Sequence, residues 1–321
     1  MKRKRKKAEK MNQKNQKIKH KRRHIDGILL LDKPKGITSN HILQRVKRLF
    51  NAEKAGHSGT LDPMATGMLP ICFGEATKFA GQLLDNHKSY QFTCKLGEKT
   101  STGDAEGEVI ENVALPASEQ LTKTYLEMIF SKFLGEIEQI PPMVSALHHE
   151  GKRLYELARE GIEVERKARK ITILSLTLDE VTPSSFTATV TCSKGTYVRV
   201  LAEDIAQSIG TVGHLIMLRR TTIHPFENET LIPFEQLESL ENQLDNLDAL
   251  LLPIDRAVID LPILTFNEEE STRILHGQRI HIEGTLEHDL YRLYSDDNQF
   301  LGIGAPNTPT SIGPKRIISQ S

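Results

Sequence analysis

From residue 25 to residue 96, apolar runs of strand length alternate with apolar positions at helical spacing. The run from Ile25 to Leu31 is short and continuous, which predicts a buried strand, and a Lys-Pro-Lys-Gly turn ends it. The alternation of apolar and polar residues over 90–96 predicts a half-buried strand. Between the two, Ser39 is the expected N-cap of a helix whose apolar positions follow the 3.6-residue period: Ile42, Leu43, Val46, Leu49 and Phe50.

The same two periods continue through the middle of the chain. Further strands are predicted at 69–73, 171–178 and 186–192, and further helices at 75–84, 121–133, 152–160 and 200–209. This order of elements predicts a mixed α and β body over residues 24–250, in which neighbouring strands are mostly antiparallel.

The pattern changes after Pro253. A short helix is predicted from Glu268 to Leu275, because Gly277 is the residue type favoured just after a helix ends. Short strand patterns follow, at 279–282, 290–294, 300–304 and 316–318. Residues 253–321 are therefore predicted to form a separate, small β-rich domain.

Length and cysteine content limit the classes of protein that this chain can belong to. A chain of 321 residues can form two domains with hydrophobic cores of unequal size. Cys72, Cys94 and Cys192 lie far apart without a CxxC pair, which disfavours a disulfide framework or a zinc ribbon and fits a reducing cytoplasm. No apolar run approaches the roughly 20 residues of a membrane helix. We expect a cytoplasmic protein without membrane contact.

The formal net charge of zero hides a polarised distribution. Residues 1–23 carry 13 Lys/Arg and one acid, Glu9, whereas residues 226–290 carry 15 Asp/Glu and three arginines. The first segment has too few apolar residues to bury a face, so we expect a disordered basic arm. Such arms commonly add salt-sensitive affinity for nucleic acid. The alternative is a solvated tail that folds back on the acidic 226–290 surface or only aids solubility.

The segment from Gly56 to Gly67 presents one acidic side chain, Asp62, among closely spaced glycines and hydroxyl residues. Glycine permits positive φ and close backbone approach, and Pro63 pushes Asp62 out of the helical region. Such a loop can hold a carboxylate towards a ligand. By composition alone, a connector in which Asp62 only caps a turn is equally consistent with the pattern.

Four segments in order resemble the bacterial tRNA pseudouridine-55 synthases, the TruB family. The 56–79 segment resembles the family signature, and Asp26 to Gly36 resembles its first motif. Cys192 to Arg199 resembles the arginine motif, and Gly213 to Thr221 resembles the leucine-arginine element that follows it. The resemblance covers roughly residues 25–225. It implies an α+β fold with a mixed, largely antiparallel sheet of the pseudouridine synthase type, flanking helices and a C-terminal PUA-like RNA-binding domain.

The resemblance also implies roles for individual residues. Asp62 matches the catalytic carboxylate, and Arg199 matches the arginine that pairs with it through a charge-assisted fork that keeps it ionised. Tyr90 matches the tyrosine that stacks on the flipped uracil, although a core strand tyrosine would fit the same pattern. Tyr197 and Leu218 match residues that wall the uracil pocket, and core packing explains both equally well.

Three further residues and one insertion are implied to support the site. His57 matches the histidine that contacts the RNA where the base has left, Lys33 belongs to a motif that supports the site, and Asp104 matches an acid that holds a loop. Residues 136–166 match the insertion that closes over the T-loop of tRNA. In this insertion Val144 and His148 differ from the residue types usual in the family.

The activity implied by the resemblance is isomerisation of the T-loop uridine at position 55 of tRNA to pseudouridine. The reaction neither adds nor removes atoms, so no cofactor is expected, and no metal-ligand spacing is present. Addition of Asp62 to base or sugar, and abstraction of a ribose proton by it, both remain open. We expect a monomer with tRNA as its partner and no obligate protein partner. The alternative is a tRNA-binding or RNA-folding protein in which modification is secondary.

Overall fold

The structure is a computed structural model that describes residues 22–117 and 121–319. Its helices are α1 (Ser39–Leu49), α2 (Ala80–Asp85), α3 (Lys123–Ser131), α4 (Leu154–Arg159), α5 (Val198–Ile209), α6 (Phe234–Ser239), α7 (Leu244–Asp248) and α8 (Glu268–Leu275). Short 3-10 turns span Gly74–Lys78 and Ile254–Val258. None of the helices in this part of the chain is long and apolar enough to cross a membrane.

The strands of the N-terminal body are β1 (Gly27–Lys33), β2 (Ala55–His57), β3 (Thr66–Phe73), β4 (Lys88–Leu96), β5 (Glu98–Thr100), β6 (Val109–Asn112), β7 (Gly135–Gln139), β8 (His148–His149), β9 (Lys152–Arg153), β10 (Arg169–Thr182), β11 (Ser185–Cys192), β12 (Gly213–Ile223) and β13 (Ile232–Pro233). Those of the C-terminal part are β14 (Ile263–Phe266), β15 (Ile280–His281), β16 (Tyr291–Ser295), β17 (Phe300–Thr308) and β18 (Ser311–Ile317).

One large sheet organises the body, in the order β13-β1-β3-β12-β4-β11-β10-β7, with β2 paired to β3. The β1–β13 and β3–β12 pairs are parallel and the other pairs are antiparallel. The expected mixed, largely antiparallel sheet with flanking helices is confirmed. β12 was not predicted as a strand, yet it lies between β3 and β4 and brings their residues together.

Three helix predictions need correction. Thr38, not Ser39, caps α1, because its extended backbone lets its Oγ1 accept a hydrogen bond from the His41 N–H. The helix expected at 75–84 is a 3-10 turn followed by α2. The helix expected at 152–160 begins only at Leu154, because the two preceding residues form β9.

The two faces of the sheet carry different cores. The larger core packs α1, α3 and α5 against one face. On the other face, Phe79, Phe226, Val258 and Ile303 belong to one buried cluster, and Ile303 comes from β17. The C-terminal β-rich unit, a five-stranded sheet in the order β14-β16-β17-β18-β15, therefore shares apolar contacts with the body in addition to its own core. The β-rich end of the chain is confirmed.

Arg23 belongs to the folded body, whereas the rest of the expected basic arm, except for Arg22, lies outside the described residues. The Arg23 guanidinium donates two hydrogen bonds of 2.6 Å to the two carboxylate oxygens of Asp248. Its backbone also bridges to that of Ala52. Arg23, which the sequence pattern assigned to the basic arm, is thus part of the folded body.

His224, directly after β12, lies between two carboxylates. Its Nδ1 is 2.7 Å from Glu227 Oε1 and its Nε2 is 2.6 Å from Asp260 Oδ2. Both ring nitrogens can donate only in the protonated imidazolium. Partial burial acts to lower the pKa of His224, but the bonds to Glu227 and Asp260 prevail and raise it above its ordinary value.

We expect His224→Gln to destabilise the protein at pH 6 and to have little effect at pH 9. A raised folded-state pKa gives stability that is complete below the unfolded pKa and is lost as pH rises through the folded pKa. Because the side chain is 42% exposed, the loss at pH 6 should be only about 0.5–1 kcal/mol. Urea unfolding at both pH values measures this loss of stability. His41→Gln, at an exposed position of α1, is the control. An equal loss at both pH values would contradict the imidazolium assignment.

Candidate active site

One cavity of about 150 Å³ brings together residues that are far apart in sequence. The predicted residues Asp62, Tyr90, Tyr197, Arg199 and Leu218 all line it. They come from the β2–β3 loop, β4, the start of α5 and β12. His57, Lys33 and Asp104 do not line the cavity.

The loop that carries Asp62 is fixed by backbone contacts on both sides. The Ser39 hydroxyl donates to the Leu61 carbonyl and accepts from the Leu61 N–H, each at 2.9 Å. Gly67, at φ +98°, pairs with Arg220 where β3 runs beside β12, and a Cβ there would be 2.1 Å from the Arg220 carbonyl oxygen. Only glycine fits at this close contact. The loop is therefore a rigid support for Asp62.

Lys33 holds the other side of the loop. Its side chain is fully buried. Its Nζ donates to the carbonyls of Ala65 at 2.6 Å, Pro34 at 3.1 Å and Pro63 at 3.2 Å. Burial lowers the pKa of Lys33 to about 8, and the nearby negative charge of Asp62 opposes that fall. This lysine holds the loop through three backbone carbonyls and does not line the cavity.

Arg199 contacts Asp62 through one nitrogen, so the expected two-bond fork is not formed. The distance from Arg199 Nε to Asp62 Oδ2 is 3.1 Å. The other two nitrogens donate to backbone carbonyls, Nη1 to Thr102 at 2.8 Å and Nη2 to Val144 at 2.7 Å. The fork is absent because these carbonyls take the paired end of the guanidinium. One buried cation thereby joins the Asp62 loop, the β5–β6 loop that contains Thr102, and the insertion.

The Asp62 carboxylate faces the cavity and keeps 36% of its side-chain surface exposed. Burial of its surroundings raises its pKa above the ordinary aspartate value, and the charge of Asp104 acts in the same direction. Arg199 and Lys33 oppose this rise. One acidic and two basic side chains thus act on a single carboxylate, a pattern common at functional sites.

Asp104 acts on the site through the loop that it holds. It is buried, and its Oδ1 accepts from Thr102 Oγ1 at 2.6 Å and from the Glu106 N–H at 3.0 Å. Its Oδ2 lies 3.7 Å from Arg199 Nη1. Asp104 thus fixes the conformation of its own loop beside Arg199.

The aromatic walls are held by neighbouring strands and by the insertion. Tyr90 is buried on β4, opposite Arg220 of β12 and Val190 of β11. Tyr197 lies just before α5, where its backbone N–H donates to Gln139 Oε1 at 2.8 Å and its carbonyl accepts from Gln139 Nε2 at 3.1 Å. The buried amide of Gln139 thus fixes Tyr197 from the first strand of the insertion.

His57 lies on β2, beside the loop that carries Asp62. Burial lowers its pKa, and the charge of Arg220 acts in the same direction, which favours the neutral imidazole. Its Nδ1 is buried without a hydrogen-bond partner among the described residues.

Arg220 is a residue of this site that the sequence reasoning missed. Its side chain is 1% exposed, its Nε donates to the Met68 carbonyl at 2.7 Å and its Nη2 to the Gly59 carbonyl at 2.9 Å. It lies opposite Tyr90 in the β12–β4 register, and its charge opposes the rise in the Tyr90 pKa that burial causes. It therefore joins the tyrosine to the Asp62 loop. Recognition of the 213–223 segment as a strand would have indicated Arg220, because Leu218 and Arg220 are two residues apart and lie on the same face of a strand.

Comparisons with known proteins match the chain over most of its length. The "TruB family pseudouridylate synthase (N terminal domain)" model matches residues 47–198. The "tRNA pseudouridylate synthase B C-terminal domain" matches residues 199–259, and "Pseudouridine synthase II TruB, C-terminal" matches residues 262–318. The tRNA pseudouridine synthase B of Methylobacillus flagellatus is 46% identical over 94% of this chain and 97% of that protein.

The chain belongs to the TruB family of pseudouridine synthases. The protein of the same name from Chromohalobacter salexigens is 48% identical, covering 92% of this chain and 95% of its own. Two solved structures share the fold of this TruB family enzyme. A Cbf5-Nop10-Gar1 complex gives a TM-score of 0.68 at 24% identity over 91% and 84% of the two chains, and an H/ACA RNP bound to a substrate RNA containing 2'-deoxyuridine gives 0.69 at 21% over 92% and 85%.

In this TruB enzyme, we expect Asp104→Asn to lower the pKa of Asp62. The change removes a negative charge that raises that pKa, while an asparagine Oδ1 can still accept from Thr102 and Glu106. Carboxyl-carbon NMR of the ¹³C-labelled aspartates measures the titration. Asp85→Asn, which removes an exposed carboxylate outside the groups acting on Asp62, should leave it unchanged. An unchanged or higher Asp62 pKa in Asp104→Asn would contradict the described charge balance.

Proposed function

We propose that this enzyme converts the T-loop uridine at position 55 of tRNA to pseudouridine, with Asp62 as the catalytic carboxylate. The observation that carries the proposal is the Asp62–Arg199 pair at a cavity walled by Tyr90, Tyr197 and Leu218. The near full-length relatives named tRNA pseudouridine synthase B support tRNA as the substrate.

The geometry suits a base taken out of its stack. A uridine inside a folded RNA loop must be flipped out before its glycosidic bond can be reached. Stacking on an aromatic ring returns about 1–3 kcal/mol per base, and Tyr90 offers a buried ring fixed between two strands. The fixed carboxylate of Asp62 then lies beside the base and sugar, as either addition or proton abstraction requires.

Arg199 favours the ionised form of that carboxylate. Burial raises the pKa of Asp62, and the charge of the adjacent Arg199 opposes that rise and so favours the anion. The same guanidinium holds the Val144 carbonyl of the insertion. We propose that the insertion, residues 136–166, covers the T-loop, so that RNA binding and alignment of Asp62 act through one side chain.

The remaining predicted parts are proposed to bind RNA around this centre. His57 would face the place that the flipped base vacates, since it lies at the edge of the Asp62 loop on β2. The C-terminal β-rich unit, predicted as a PUA-like domain over 253–321, would contact a second part of the tRNA. Its packing on the sheet through Ile303 supports a fixed position relative to the cavity.

We expect Asp62→Asn to bind unmodified tRNA normally and to form pseudouridine at least about 100-fold more slowly, since a positioned acid–base or nucleophilic group contributes that much or more. Mapping of pseudouridine after single-turnover incubation measures the product, and filter binding measures affinity. Asp85→Asn is the matched control and should remain fully active. Undiminished product from Asp62→Asn would overturn the assignment of Asp62, whereas binding without product from the unaltered protein would favour an RNA-binding role.

We expect Tyr90→Leu to lower kcat/KM about fivefold to 160-fold, because loss of about 1–3 kcal/mol of stacking corresponds to that range. Tyr90→Phe keeps the ring and should retain most of the activity that depends on stacking. Thermal unfolding of both variants separates a catalytic loss from a folding loss. A fully active Tyr90→Leu enzyme would assign Tyr90 to the core alone.

A further inference from the structure

A short junction segment, residues 74–80, runs from the end of β3 to the start of α2 and is fixed to the body by its first residues. The Glu75 N–H donates to Asp26 Oδ1 at 2.6 Å, and the Gly74 N–H donates to the Lys54 carbonyl at 3.1 Å. Gly74 has φ +50°, and a Cβ there would be 2.1 Å from the same Asp26 oxygen. The junction segment therefore has a defined position beside β3.

Glu75 and Lys78 of this segment hold the end of the C-terminal sheet. The Lys78 Nζ donates to Glu75 Oε2 at 2.5 Å and to the carbonyl of Ile317, the last residue of β18, at 2.9 Å. Glu75 Oε2 also accepts from the Ser319 N–H at 2.5 Å. These two side chains, which we call the clamp, thus bind one carbonyl and one N–H where the chain leaves β18.

The clamp is largely removed from water. Only 10% of the Glu75 side chain and 30% of the Lys78 side chain are exposed. Burial acts to raise the pKa of Glu75, but the bonds from Lys78 and from the Ser319 N–H prevail and lower it below its ordinary value. Glu75 is therefore an anion at neutral pH, and its charge-assisted hydrogen bonds are of the strong kind.

Phe79, the residue after the clamp, adds an apolar contact with the same unit. Its side chain is fully buried, and its ring centroid is 5.6 Å from that of Phe300 on β17. Ile303 of β17 belongs to the same apolar cluster. Apolar burial is non-directional, whereas hydrogen bonds require a defined angle, so the clamp adds a constraint on orientation to this cluster.

Other polar contacts at the junction lie on the connecting chain. Arg256 pairs with Glu229, and His224 Nε2 is 2.6 Å from Asp260 Oδ2. Arg256 and Asp260 precede β14, the first strand of the C-terminal sheet. The clamp, by contrast, acts directly on the end of a strand of that sheet.

The junction segment also supports the Asp62 loop. Ser58 of that loop is fully buried, and its hydroxyl donates to the Ala80 carbonyl at 3.1 Å. The Ser58 N–H donates to the Pro70 carbonyl of β3 at 3.0 Å. The segment is therefore hydrogen-bonded to the C-terminal sheet through the clamp and to the Asp62 loop through Ala80.

We propose that Glu75 and Lys78 are positioning residues that fix the distance and orientation between the C-terminal unit and the Asp62 carboxylate. A ligand that binds at two places gains affinity when their spacing matches its own, and freedom in that spacing lowers the effective concentration of the second contact. The partner that fits this arrangement is an RNA long enough to reach from the cavity to the C-terminal unit, and this part of the inference rests on the proposed function.

Distance measurements on the free protein test the clamp without RNA. Spin labels on Glu53→Cys in the body and Glu269→Cys on α8 report the spacing by double electron–electron resonance, since both positions are exposed and the three native cysteines are buried. We expect Glu75→Gln combined with Lys78→Met, which leaves neither charge unpaired, to broaden the distance distribution about twofold, because domains without a directional contact move relative to one another.

Three further variants in the same labelled protein make the measurement specific. Lys78→Arg keeps a cationic donor and should retain the narrow distribution. Glu75→Gln alone keeps an oxygen for the Ser319 N–H and should give an intermediate width. Lys123→Met, which removes an exposed pair with Glu127 on α3, should change nothing. Thermal unfolding identifies the folded variants, and an unbroadened distribution in folded Glu75→Gln or in the folded double variant would overturn the clamp.

Kinetics on two RNAs test the positioning role. On intact unmodified tRNA the double variant should have a KM about fivefold higher, because the second contact loses effective concentration. Its kcat should be unchanged, because the Asp62 loop keeps its bonds to Ser39 and Lys33. On an RNA hairpin that contains only the T-loop and its stem, neither constant should change. Lys78→Arg should match the unaltered protein on both RNAs.

The two failures are distinguishable. An equal rise in KM on both RNAs, an unchanged KM on tRNA, or a loss of kcat would overturn the positioning role, because none of these follows from a freed C-terminal unit. Absence of pseudouridine from the unaltered protein on both RNAs would instead refute the proposed function, and the distance distributions would still decide the clamp.

Discussion

The guanidinium of Arg199 is the contact on which the candidate site depends. It is 3% exposed, and its three nitrogens meet Asp62, the Thr102 carbonyl and the Val144 carbonyl. A buried cation is costly unless each donor is satisfied, so removal of any one partner would disturb the other two. Because these partners come from three separate segments, the position of the Asp62 carboxylate is set by tertiary contacts and not by its own loop alone.

Three more buried cations of the body act through backbone oxygens. Lys33 ties the carbonyls of the Asp62 loop, Arg220 joins that loop to Tyr90, and Lys88 donates to the Leu84 and Asn86 carbonyls at the end of α2. Burial lowers the pKa of both lysines to about 8. Lys33 and Arg220 hydrogen-bond the loop that carries Asp62, so these two cations make the surroundings of its carboxylate rigid.

The C-terminal unit and the N-terminal edge are joined to the body by different kinds of contact. The first is joined to the sheet through a shared apolar core that includes Phe226 and Ile303, and apolar burial is insensitive to salt. The second is joined through ion pairs at the surface, such as Arg23 with Asp248, which salt weakens. The enzyme therefore combines an apolar junction at one end of the body with a salt-sensitive ion pair at the other.

The sequence by itself determined the family and most strand and helix positions, because apolar periodicity and turn residues act locally and motifs keep their order. Its motifs also selected Asp62, Tyr90 and Arg199 as candidates, and the structure brings these three residues to one cavity. It also indicated the need for glycine in the Asp62 loop. Only the tertiary structure decided that Arg199 makes a single contact with Asp62 and that Arg220 completes the site. Those facts depend on the insertion and on β12 meeting β3 and β4, and such long-range pairings leave no periodic trace along the chain.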